Sequence, residues 1–371
     1  MTAAQTVVIA AGGTGGHIYP AMAVAKVLEK RKVPVVWIGT KEGLEARIVP
    51  EANIDIRFIN VSGLRGKGLK GMLTGPFKVV GACIQSMRIM SDVRATAVLG
   101  MGGFVSGPVG LAAVLTRRML VLHEQNAVVG MTNKWLGRIA NRVYSAMPDV
   151  FPDKVGALAV GNPVRDSIEL LGEQKLDSFK TSGNTDKPAL HVLIIGGSRG
   201  ARALNQVVPK AMDVLSSQQS ELVLHVWHQT GPADEPAVEQ AYAQLRKQAK
   251  SIQVSAYIDD VTEAYRWADV IICRSGAMTV SELSAAGLPG VLVPYPHHSD
   301  NQQTHNAKFL SDAGAAVLQP ESTLSAEGLA NILSEMSASP DSLAKMASAA
   351  RALHKPDAAV VMADALQEAR N

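Results

Sequence analysis

Short apolar runs alternate with amphipathic stretches along the first half of the chain. Most runs are apolar at consecutive positions, which is typical of strands buried on both faces of a sheet. Helical patterns such as AMAVAKVLEK, residues 21–30, separate them. The predicted strands are TVVIA (6–10), VPVVWIG (33–39), TAVLGMG (96–102), MLVLHE (119–124) and NRVYSAM (141–147). This pattern predicts a parallel sheet covered by helices on both sides.

The second half repeats the arrangement. HVLIIGGSRGARALNQ, residues 191–206, has the same order of strand, glycine loop and helix as TVVIAAGGTGGHIYPAMAV near the start. Further strand-like runs occupy residues 222–231, 252–258, 268–276 and 290–296. The polar residues 171–189 between the halves predict a linker or exposed segment. We therefore expect an α/β protein with two Rossmann-like doubly wound domains facing a cleft.

The composition fits this prediction. The 371 residues suffice for two or three domains at roughly 150 residues each. With 47% hydrophobic and 19% charged residues the chain is not of the disordered class, and a net charge of +3 does not indicate nucleic-acid binding. The two scattered cysteines favour a reducing compartment. No signal peptide is expected, and the uncharged residues 96–115 fit a strand, glycine loop and helix better than a membrane span.

Both glycine loops point to a bound phosphate. A loop between a parallel strand and a helix presents backbone N–H groups at the helix N-terminus, and glycine allows an anion to approach them. A tight turn that needs positive φ is the alternative. The dinucleotide fingerprint fails because Ile18 takes the place of its third glycine, and the P-loop pattern fails too. No D-x-D sequence is present, so we expect neither a metal site nor a cofactor.

Residues 273–307, CRSGAMTVSELSAAGLPGVLVPYPHHSDNQQTHNA, narrow the ligand further. The helix predicted after Arg-Ser-Gly offers a second phosphate site at its start. Glu282, inside that helix, can accept two hydrogen bonds from a ribose diol, or it belongs to a solvated face. Gln302 and Gln303 carry amides that suit sugar hydroxyls, or they simply begin a helix.

These segments together resemble the MurG family of UDP-N-acetylglucosamine:lipid I glycosyltransferases. The resemblance runs in order from about residue 7 to 310 and rests on GGTGGHIYPAMAVA, SGLRGKGLKG, LGMGGFVSGPVGLAA, HEQNAVVGMTNKWL, GNPVR, GGSRGARALNQ and the 273–307 segment. It implies the B-type glycosyltransferase fold and transfer of N-acetylglucosamine from UDP to the muramyl C4 hydroxyl of lipid I. The product would be lipid II, formed with inversion and used in peptidoglycan synthesis.

The resemblance also implies donor contacts. Ser198 would touch the diphosphate, the main chain of Ile258 the uracil, Glu282 the ribose, and Gln302 or Gln303 the sugar. The loop PHHSDNQQ is one residue longer than the family pattern, so the choice between the two glutamines stays open. The residues carried over are Thr14, Gly15, Gly16, Asn126, Arg165, Ser198, Ile258, Ala277, Met278, Thr279, Val280, Ser281, Glu282, Gln302 and Gln303.

Three residues are candidates for the chemistry. His17 follows the first glycine loop, and an imidazole can accept a proton near neutral pH. It is a general base, a hydrogen-bond partner of a phosphate or sugar hydroxyl, or a structural cap. Glu124 is the rival base or a partner that orients the true one. Arg274, with helix N-termini, would stabilise the leaving diphosphate without a metal.

The lipid acceptor implies membrane contact. Residues 61–95 carry six basic side chains against one acidic one, interleaved with apolar residues. They favour an anionic membrane surface, whereas the alternative is an amphipathic helix packed on its own sheet. Gly102, Gly103 and Phe104 are expected to hold the acceptor pyrophosphate. The segment contributes Arg65, Lys67, Lys70, Phe77 and Lys78 to the predicted acceptor and membrane surface.

The predicted domains are residues 1–163 for acceptor and membrane, and 164–354 for UDP-N-acetylglucosamine, with 355–371 packing back on the first. The expected location is the cytoplasmic face of the bacterial inner membrane, where cell-wall or division proteins are possible partners. Two alternatives remain: a UDP-N-acetylglucosamine 2-epimerase on the same scaffold, and a non-catalytic membrane-docked recruiting subunit.

Overall fold

The computed structural model describes residues 6–61, 69–181, 189–197, 201–247, 249, 251–297 and 300–368. Within these ranges it does not describe the side chains of 69–74, 173, 176–181 and 340. The chain divides into two compact units, Met1–Pro163 with Lys355–Asn371, and Val164–His354.

The first unit is a parallel sheet of seven strands in the order β3-β2-β1-β4-β5-β6-β7. Its elements are β1 (Thr6–Ala10), α1 (Gly15–Lys30), β2 (Val35–Gly39), α2 (Glu45–Glu51), β3 (Asp55–Phe58), α3 (Leu69–Asp92), β4 (Ala95–Gly100), α4 (Gly103–Leu115), β5 (Met119–Glu124), α5 (Met131–Leu136), β6 (Arg142–Ser145), a 3₁₀ turn (Asp153–Val155) and β7 (Leu158–Ala159). The C-terminal helix of the chain, Ala358–Glu368, also belongs to this unit.

Helices cover both faces of this first sheet. Val7 and Ile9 of β1 pack on one face with α1 and the C-terminal helix. Val8 and Ala10 point to the other face, where α3 and α4 pack. Every residue of β1 is buried, which explains why TVVIA lacks the alternation of a half-exposed strand.

The second unit is a parallel sheet of six strands in the order β10-β9-β8-β11-β12-β13. Its elements are α6 (Asp166–Thr181), β8 (Ala189–Ile195), α7 (Arg202–Gln218), β9 (Val223–Gln229), α8 (Glu235–Ala241), a 3₁₀ turn (Leu245–Lys247), β10 (Ser251–Ser255), α9 (Val261–Trp267), β11 (Val270–Cys273), α10 (Ala277–Ala286), β12 (Gly290–Leu292), α11 (Gln302–Ser311), β13 (Ala316–Leu318), a 3₁₀ turn (Glu321–Thr323), α12 (Ala326–Met336) and α13 (Pro340–Leu353). The C-terminal helix Ala358–Glu368, which belongs to the first unit, is α14.

The predicted fold class is confirmed, since both units are parallel sheets between helices. Several boundaries differ from the prediction. The first helix begins at Gly15, so His17 lies in its first turn and not after a loop. The strand predicted over 268–276 ends at Cys273, and the one predicted over 290–296 ends at Leu292.

The expectation of a linker over 171–189 is wrong for residues up to 181, because α6 extends to Thr181. One face of α6 is buried, with Leu171 in the interior. Lys175 is buried too, and its ammonium donates to the main-chain oxygens of Arg266 and Ala268, at the end of α9. Burial lowers the pKa of Lys175 to about 8. The polar composition of this segment did not indicate a helix. Its buried lysine provides hydrogen bonds for main-chain carbonyls at the end of another helix.

The topology marks one place in each sheet for a ligand. The strand order reverses between β1 and β4 in the first unit, and between β8 and β11 in the second. In open parallel sheets, ligands bind outside the carboxyl ends of the strands at such a switch point. The first point is flanked by the loops after Ala10 and Gly100, and the second by the loops after Ile195 and Cys273.

Candidate active site

The first switch point brings His17 against a second glycine loop. A methyl group added at Gly102 would lie 3.3 Å from Cε1 of His17, and one at Gly103 would lie 3.1 Å from the main-chain oxygen of Gly12. Gly102 and Gly103 have φ of +83° and +74°, a region that L side chains rarely adopt. The conformation and the close approach therefore both require glycine, and they leave the imidazole beside the start of α4.

The loop after β1 leaves its polar groups exposed. Thr14 is the N-cap of α1, yet its hydroxyl makes no capping hydrogen bond and the residue is exposed. Gly15, Gly16 and His17 form the half-buried first turn of the helix. Phe104 of α4 lies across from this loop, since a methyl group at Gly13 would meet its ring edge at 3.4 Å. The predicted residues Thr14 to His17 and Gly102 to Phe104 thus lie together in the first unit.

Glu45 supports this loop and was missed in the sequence analysis. Its carboxylate is fully buried and accepts hydrogen bonds from the N–H of Gly13 at 3.1 Å and from the N–H and hydroxyl of Thr40 at 2.9 and 2.8 Å. Added methyl groups at Gly12, Gly39 and Gly43 would lie within 2.6 Å of this side chain. The two glycines of GTKEGLE, Gly39 and Gly43, were the available signal in the sequence, because they make room for a buried carboxylate.

The carboxylate of Glu124 accepts hydrogen bonds from the residues that follow it in the chain. Its Oε1 accepts hydrogen bonds from the main-chain and side-chain nitrogens of Asn126, at 3.1 and 3.3 Å. Its Oε2 accepts from the N–H of Gly130 at 3.0 Å and from the amide of Asn133 at 2.9 Å. Only 3% of the residue is exposed. With these four hydrogen bonds, the buried carboxylate of Glu124 fixes the conformation of the 126–130 loop, which includes Asn126.

At the second switch point an amide holds the glycine loop. Oε1 of Gln229 accepts hydrogen bonds from the N–H groups of Gly196 and Gly197, both at 3.1 Å. Its Nε2 donates to the main-chain oxygens of Gly197 and Ala256, at 3.1 and 2.9 Å. The predicted diphosphate ligand, Ser198, lies outside the described residues. Gln229 was also missed, since nothing in its own strand marks it as a partner of the loop.

Helix α10 begins at the same point, and the residues predicted to contact the donor differ in burial. Its N-cap is Gly276, so no side chain caps the first turn, and the N–H groups of that turn are available to an anion. Met278 and Thr279 are half-buried. In contrast, Val280 is fully buried, and the hydroxyl of Ser281 donates to the main-chain oxygen of Ala277. Val280 and Ser281 therefore belong to the packed side of the helix.

Glu282 lies one turn further along, in a largely buried cluster. Tyr265 donates its hydroxyl to Oε2 at 3.1 Å, and a guanidinium nitrogen of Arg165 lies 3.6 Å from Oε1. Burial raises the pKa of Glu282, while Arg165 and the Tyr265 hydrogen bond act to lower it. Burial next to this carboxylate also raises the pKa of Cys273 to about 12. The carboxylate keeps 12% of its side chain exposed and can still accept a ligand hydroxyl.

Arg274 makes several contacts with the loop after β12 and with Glu321. Its guanidinium donates to the main-chain oxygens of Val293 and Pro294, both at 3.1 Å. The same group forms an ion pair with Glu321 at 2.5 Å and lies over the ring of Tyr295. These contacts make Arg274 a residue that holds the loop after β12.

The structure distinguishes the two glutamines at the start of α11. Oε1 of Gln303 accepts a hydrogen bond from the N–H of Tyr295 at 2.9 Å, and its main-chain oxygen accepts from Ser275 at 2.8 Å. Among the described residues, the Gln302 amide has no hydrogen-bond partner and is half-buried. Gln302 is therefore the amide that a sugar could bind.

Ile258 borders a cavity of about 570 Å³ in the second unit. Its floor is formed by β9 and β10 with Trp227, and its wall by α9 with Trp267. The loop that carries Ile258 leaves the carboxyl end of β10, and so opens toward the same edge of the sheet as Gly197.

The predicted acceptor and membrane residues fall on α3 and around it. Arg65 and Lys67 lie outside the described residues, and the side chain of Lys70 is not described. Phe77 is 80% exposed, and Val80 and Ile84 are exposed on the same stripe of the helix, beside the exposed Lys78 and Arg88. Sequence analysis missed further exposed apolar residues on the neighbouring α4 and α5, which are Leu111, Leu115, Met131 and Trp135.

Two features concern metals and membranes. Within the described ranges, no group of three or more His, Cys, Asp or Glu side chains could hold a metal ion. Within the same part of the chain, no helix combines the length and apolar character that crossing a membrane requires.

Comparison with known proteins assigns both units. Residues 7–145 match the glycosyltransferase family 28 N-terminal domain, and residues 191–362 match the family 28 C-terminal domain. Proteins from Shewanella frigidimarina and Methylococcus capsulatus are 45% and 47% identical over 365 and 356 residues. Both are named UDP-N-acetylglucosamine--N-acetylmuramyl-(pentapeptide) pyrophosphoryl-undecaprenol N-acetylglucosamine transferase, and the matches cover 98% and 96% of this chain and 96% of each relative.

A solved structure agrees with these relatives. The crystal structure of Acinetobacter baumannii MurG is 38% identical and superposes with a TM-score of 0.82. The match covers 98% of this chain and 99% of that one.

Proposed function

The chain belongs to glycosyltransferase family 28, and from this premise we propose that it transfers N-acetylglucosamine to a polyprenyl-linked muramyl acceptor. The donor is UDP-N-acetylglucosamine and the acceptor is lipid I, the pyrophosphoryl-undecaprenol N-acetylmuramyl-pentapeptide. The observation that carries the proposal is the near-full-length similarity to transferases of that name. The epimerase alternative is not favoured by these relatives.

The second unit is the proposed donor site. The N–H groups at the start of α10 suit the diphosphate, and Glu282 suits the ribose diol. Gln302 suits the sugar hydroxyls, and Ile258 offers its main chain to uracil. These groups lie around one switch point of one sheet, so a single nucleotide sugar can engage them together.

The first unit is the proposed site of acceptor and chemistry. The C4 hydroxyl oxygen of the muramyl ring forms the new bond to the sugar C1 as the bond from C1 to the diphosphate breaks. His17 takes the hydroxyl proton, and UDP leaves with the bonding electron pair. In an inverting transfer these events form one displacement. The Gly102–Gly103 loop and the start of α4 face the same place and suit the acceptor pyrophosphate.

The exposed stripe on α3 is the proposed membrane contact. Phe77, Val80 and Ile84 present apolar side chains between basic ones, as in helices that lie on anionic bilayers. Exposed apolar residues on α4 and α5 are further candidates for this contact. Contact at the cytoplasmic face of the inner membrane follows from a lipid acceptor and a nucleotide donor, and cell-wall or division proteins are the expected neighbours there.

The test is an assay with UDP-N-acetylglucosamine and a short-chain lipid I analogue, in detergent with EDTA. The expected result is stoichiometric UDP and disaccharide-lipid. Free N-acetylmuramic acid should give no product. UDP-N-acetylmannosamine formed without acceptor would identify an epimerase instead. Donor binding with neither product would overturn the transferase and leave the recruiting subunit.

A further inference from the structure

We propose that Gln125 and His123 are positioning residues that set the tautomer of His17, so that its Nε2 carries the lone pair. The proposal rests on the proposed function for its meaning, because that lone pair is the one that accepts the proton of the acceptor hydroxyl. It rests on the hydrogen-bond geometry of the first unit for its evidence. A buried chain of bonds runs from a main-chain oxygen to the His17 ring.

The chain begins at the main-chain oxygen of Gly161, which can only accept. Nε2 of His123 lies 2.9 Å from it, so this nitrogen carries a proton and donates. His123 is fully buried, and burial lowers its pKa to about 4. The ring is therefore neutral near pH 7 and has one N–H. Its Nδ1 must then be an acceptor.

The second step orients the amide of Gln125. Its Nε2 lies 3.2 Å from Nδ1 of His123 and 3.4 Å from the main-chain oxygen of the same residue. Both of these atoms are acceptors, so the amide must present its NH₂ group to them. The opposite orientation would place an oxygen against two acceptors in a buried site. The main-chain oxygen of Gln125 also accepts from Asn162, which fixes the residue.

The third step reaches His17. With its NH₂ group turned to His123, Gln125 presents Oε1 to Nδ1 of His17 at 3.0 Å. Nδ1 must donate, so a neutral His17 has its lone pair on Nε2. This reverses the intrinsic preference of a histidine side chain, which favours the proton on Nε2. The lone pair then lies on the side of the ring toward Gly103, where the proposed acceptor loop begins.

The second unit contains an internal standard. Asn205 donates its amide to the main-chain oxygen of Thr230 and to Asp234, which leaves Oδ1 to accept from Nε2 of His228. Nδ1 of His228 then accepts from the hydroxyl of Tyr242 at 2.9 Å. The same reasoning therefore assigns His228 the tautomer with the proton on Nε2, opposite to that of His17.

The experiment measures tautomers directly, on the full chain without substrate. Protein labelled with ¹⁵N-histidine is observed by long-range ¹H–¹⁵N correlation near pH 7.5, where a bare ring nitrogen and a protonated one have well-separated shifts. The expected result is a bare Nε2 in His17, with bare Nδ1 in His123 and His228. A proton on Nε2 of His17 in the wild type would overturn the proposal, whatever the activity.

Two substitutions separate the steps. Gln125→Met removes the bond to His17 and the two bonds to His123. His17 should then change to the Nε2–H form while kcat falls by about tenfold to a hundredfold, within the scale of general-base catalysis. Gln125→Glu keeps an acceptor toward His17 and removes the donor toward His123. It should preserve the His17 tautomer. In both variants His228 and the Kd of UDP should be unchanged.

Gln240→Met, the same change on the exposed side of α8, is the matched control and should leave tautomer and kcat as in the wild type. An unaltered His17 tautomer in Gln125→Met would contradict the positioning role. If Gln125→Met fails to fold, the wild-type spectrum and Gln125→Glu still decide the question. Absence of transfer by the wild type would overturn the proposed function alone, because the tautomers are measured without any reaction.

Discussion

The two glycine loops look alike in sequence but are held by groups of different charge. In the first unit a carboxylate, Glu45, accepts the N–H of Gly13. In the second unit a neutral amide, Gln229, accepts the N–H groups of Gly196 and Gly197. Both supports come from a neighbouring segment, and both are buried.

The difference separates the roles of the loops. A carboxylate behind a loop repels a bound phosphate by about 3 kcal/mol if they lie about 5 Å apart at an effective dielectric constant of about 20. A neutral amide imposes no such cost. This difference supports the proposed division, in which the first loop places His17 and the second lies at the donor diphosphate. Under that proposal, similar glycine patterns serve chemistry in one unit and binding in the other.

The largest expected effect concerns the chemistry of the first unit. His17→Ala should lower kcat by about 10² to 10⁴-fold, the usual contribution of a general base. The Kd of UDP should change little, because the proposed donor groups lie mainly in the second unit. Steady-state transfer and calorimetry measure the two quantities. His305→Ala, an exposed position on α11, is the control, and a loss of UDP affinity without loss of kcat would reverse the assignment.

The next effect concerns the second loop. Gln229→Glu places a negative charge where the first unit has Glu45, and it should weaken UDP binding by up to about a hundredfold on the Coulomb scale above. Calorimetric titration with UDP measures this, and circular dichroism checks the fold. Gln240→Glu adds the same charge on the exposed side of α8 and should have little effect. Equal weakening in both variants would show a general charge effect instead.

A smaller effect concerns Glu282. Glu282→Gln should weaken UDP binding by about tenfold, since a charge-assisted hydrogen bond is replaced by a neutral one. With 2′-deoxy-UDP this loss should shrink. Glu327→Gln, exposed on α12, is the control.

The pH dependence of the same site follows from burial, which raises the pKa of Glu282. The carboxyl takes up a proton at a higher pH than an ordinary glutamic acid does. On acidification, the affinity of the wild type for UDP should therefore begin to fall at a higher pH than it would if Glu282 had the pKa of an ordinary glutamic acid. Affinity of Glu282→Gln should lack this fall. A wild-type curve that matches the variant would contradict the role of the carboxylate.

The smallest effect concerns stability, and it is expected in both units because each contains a buried histidine with a lowered pKa. Burial lowers the pKa of His123 to about 4 and that of His228 to about 3. The unfolded chain binds protons that the folded chain does not, so stability is full above the ordinary histidine pKa and is lost as pH falls below it. Between about pH 7 and pH 6, each of the two histidines should lower the free energy of unfolding by about 0.7 kcal/mol. Denaturant titrations of wild type and His228→Gln should differ by this amount in their pH dependence.

The sequence predicted those features that local patterns encode. Most strands of both sheets and the glycine loops follow from apolar runs and turns, and the family follows from motifs in order. The short strands β3, β7 and β13 were not predicted. The switch points then place His17 beside Gly102 and Gly103 because the parallel topology brings those strand ends together.

Features that depend on distant partners could not be read in advance. Glu45 and Gln229 act on loops 32 residues away along the chain, and no local pattern specifies such pairs. Arg274 was predicted to stabilise the leaving diphosphate and Val280 to contact the donor. The sequence did not indicate that Arg274 binds the loop after β12 or that the Val280 side chain is buried. Nor did it indicate that the Gln303 side chain accepts a bond from Tyr295.

The most direct test of the separation of roles is to measure kcat and the Kd of UDP in parallel for Glu45→Gln and Gln229→Glu. Glu45→Gln turns an NH₂ group toward the N–H of Gly13 or loses a Thr40 bond, so it should disturb the loop before His17. We predict that it lowers kcat and leaves the Kd of UDP within about twofold, less than one neutral hydrogen bond contributes. Gln229→Glu should raise the Kd instead. If both substitutions change the Kd of UDP to the same extent, the two loops do not have separate roles.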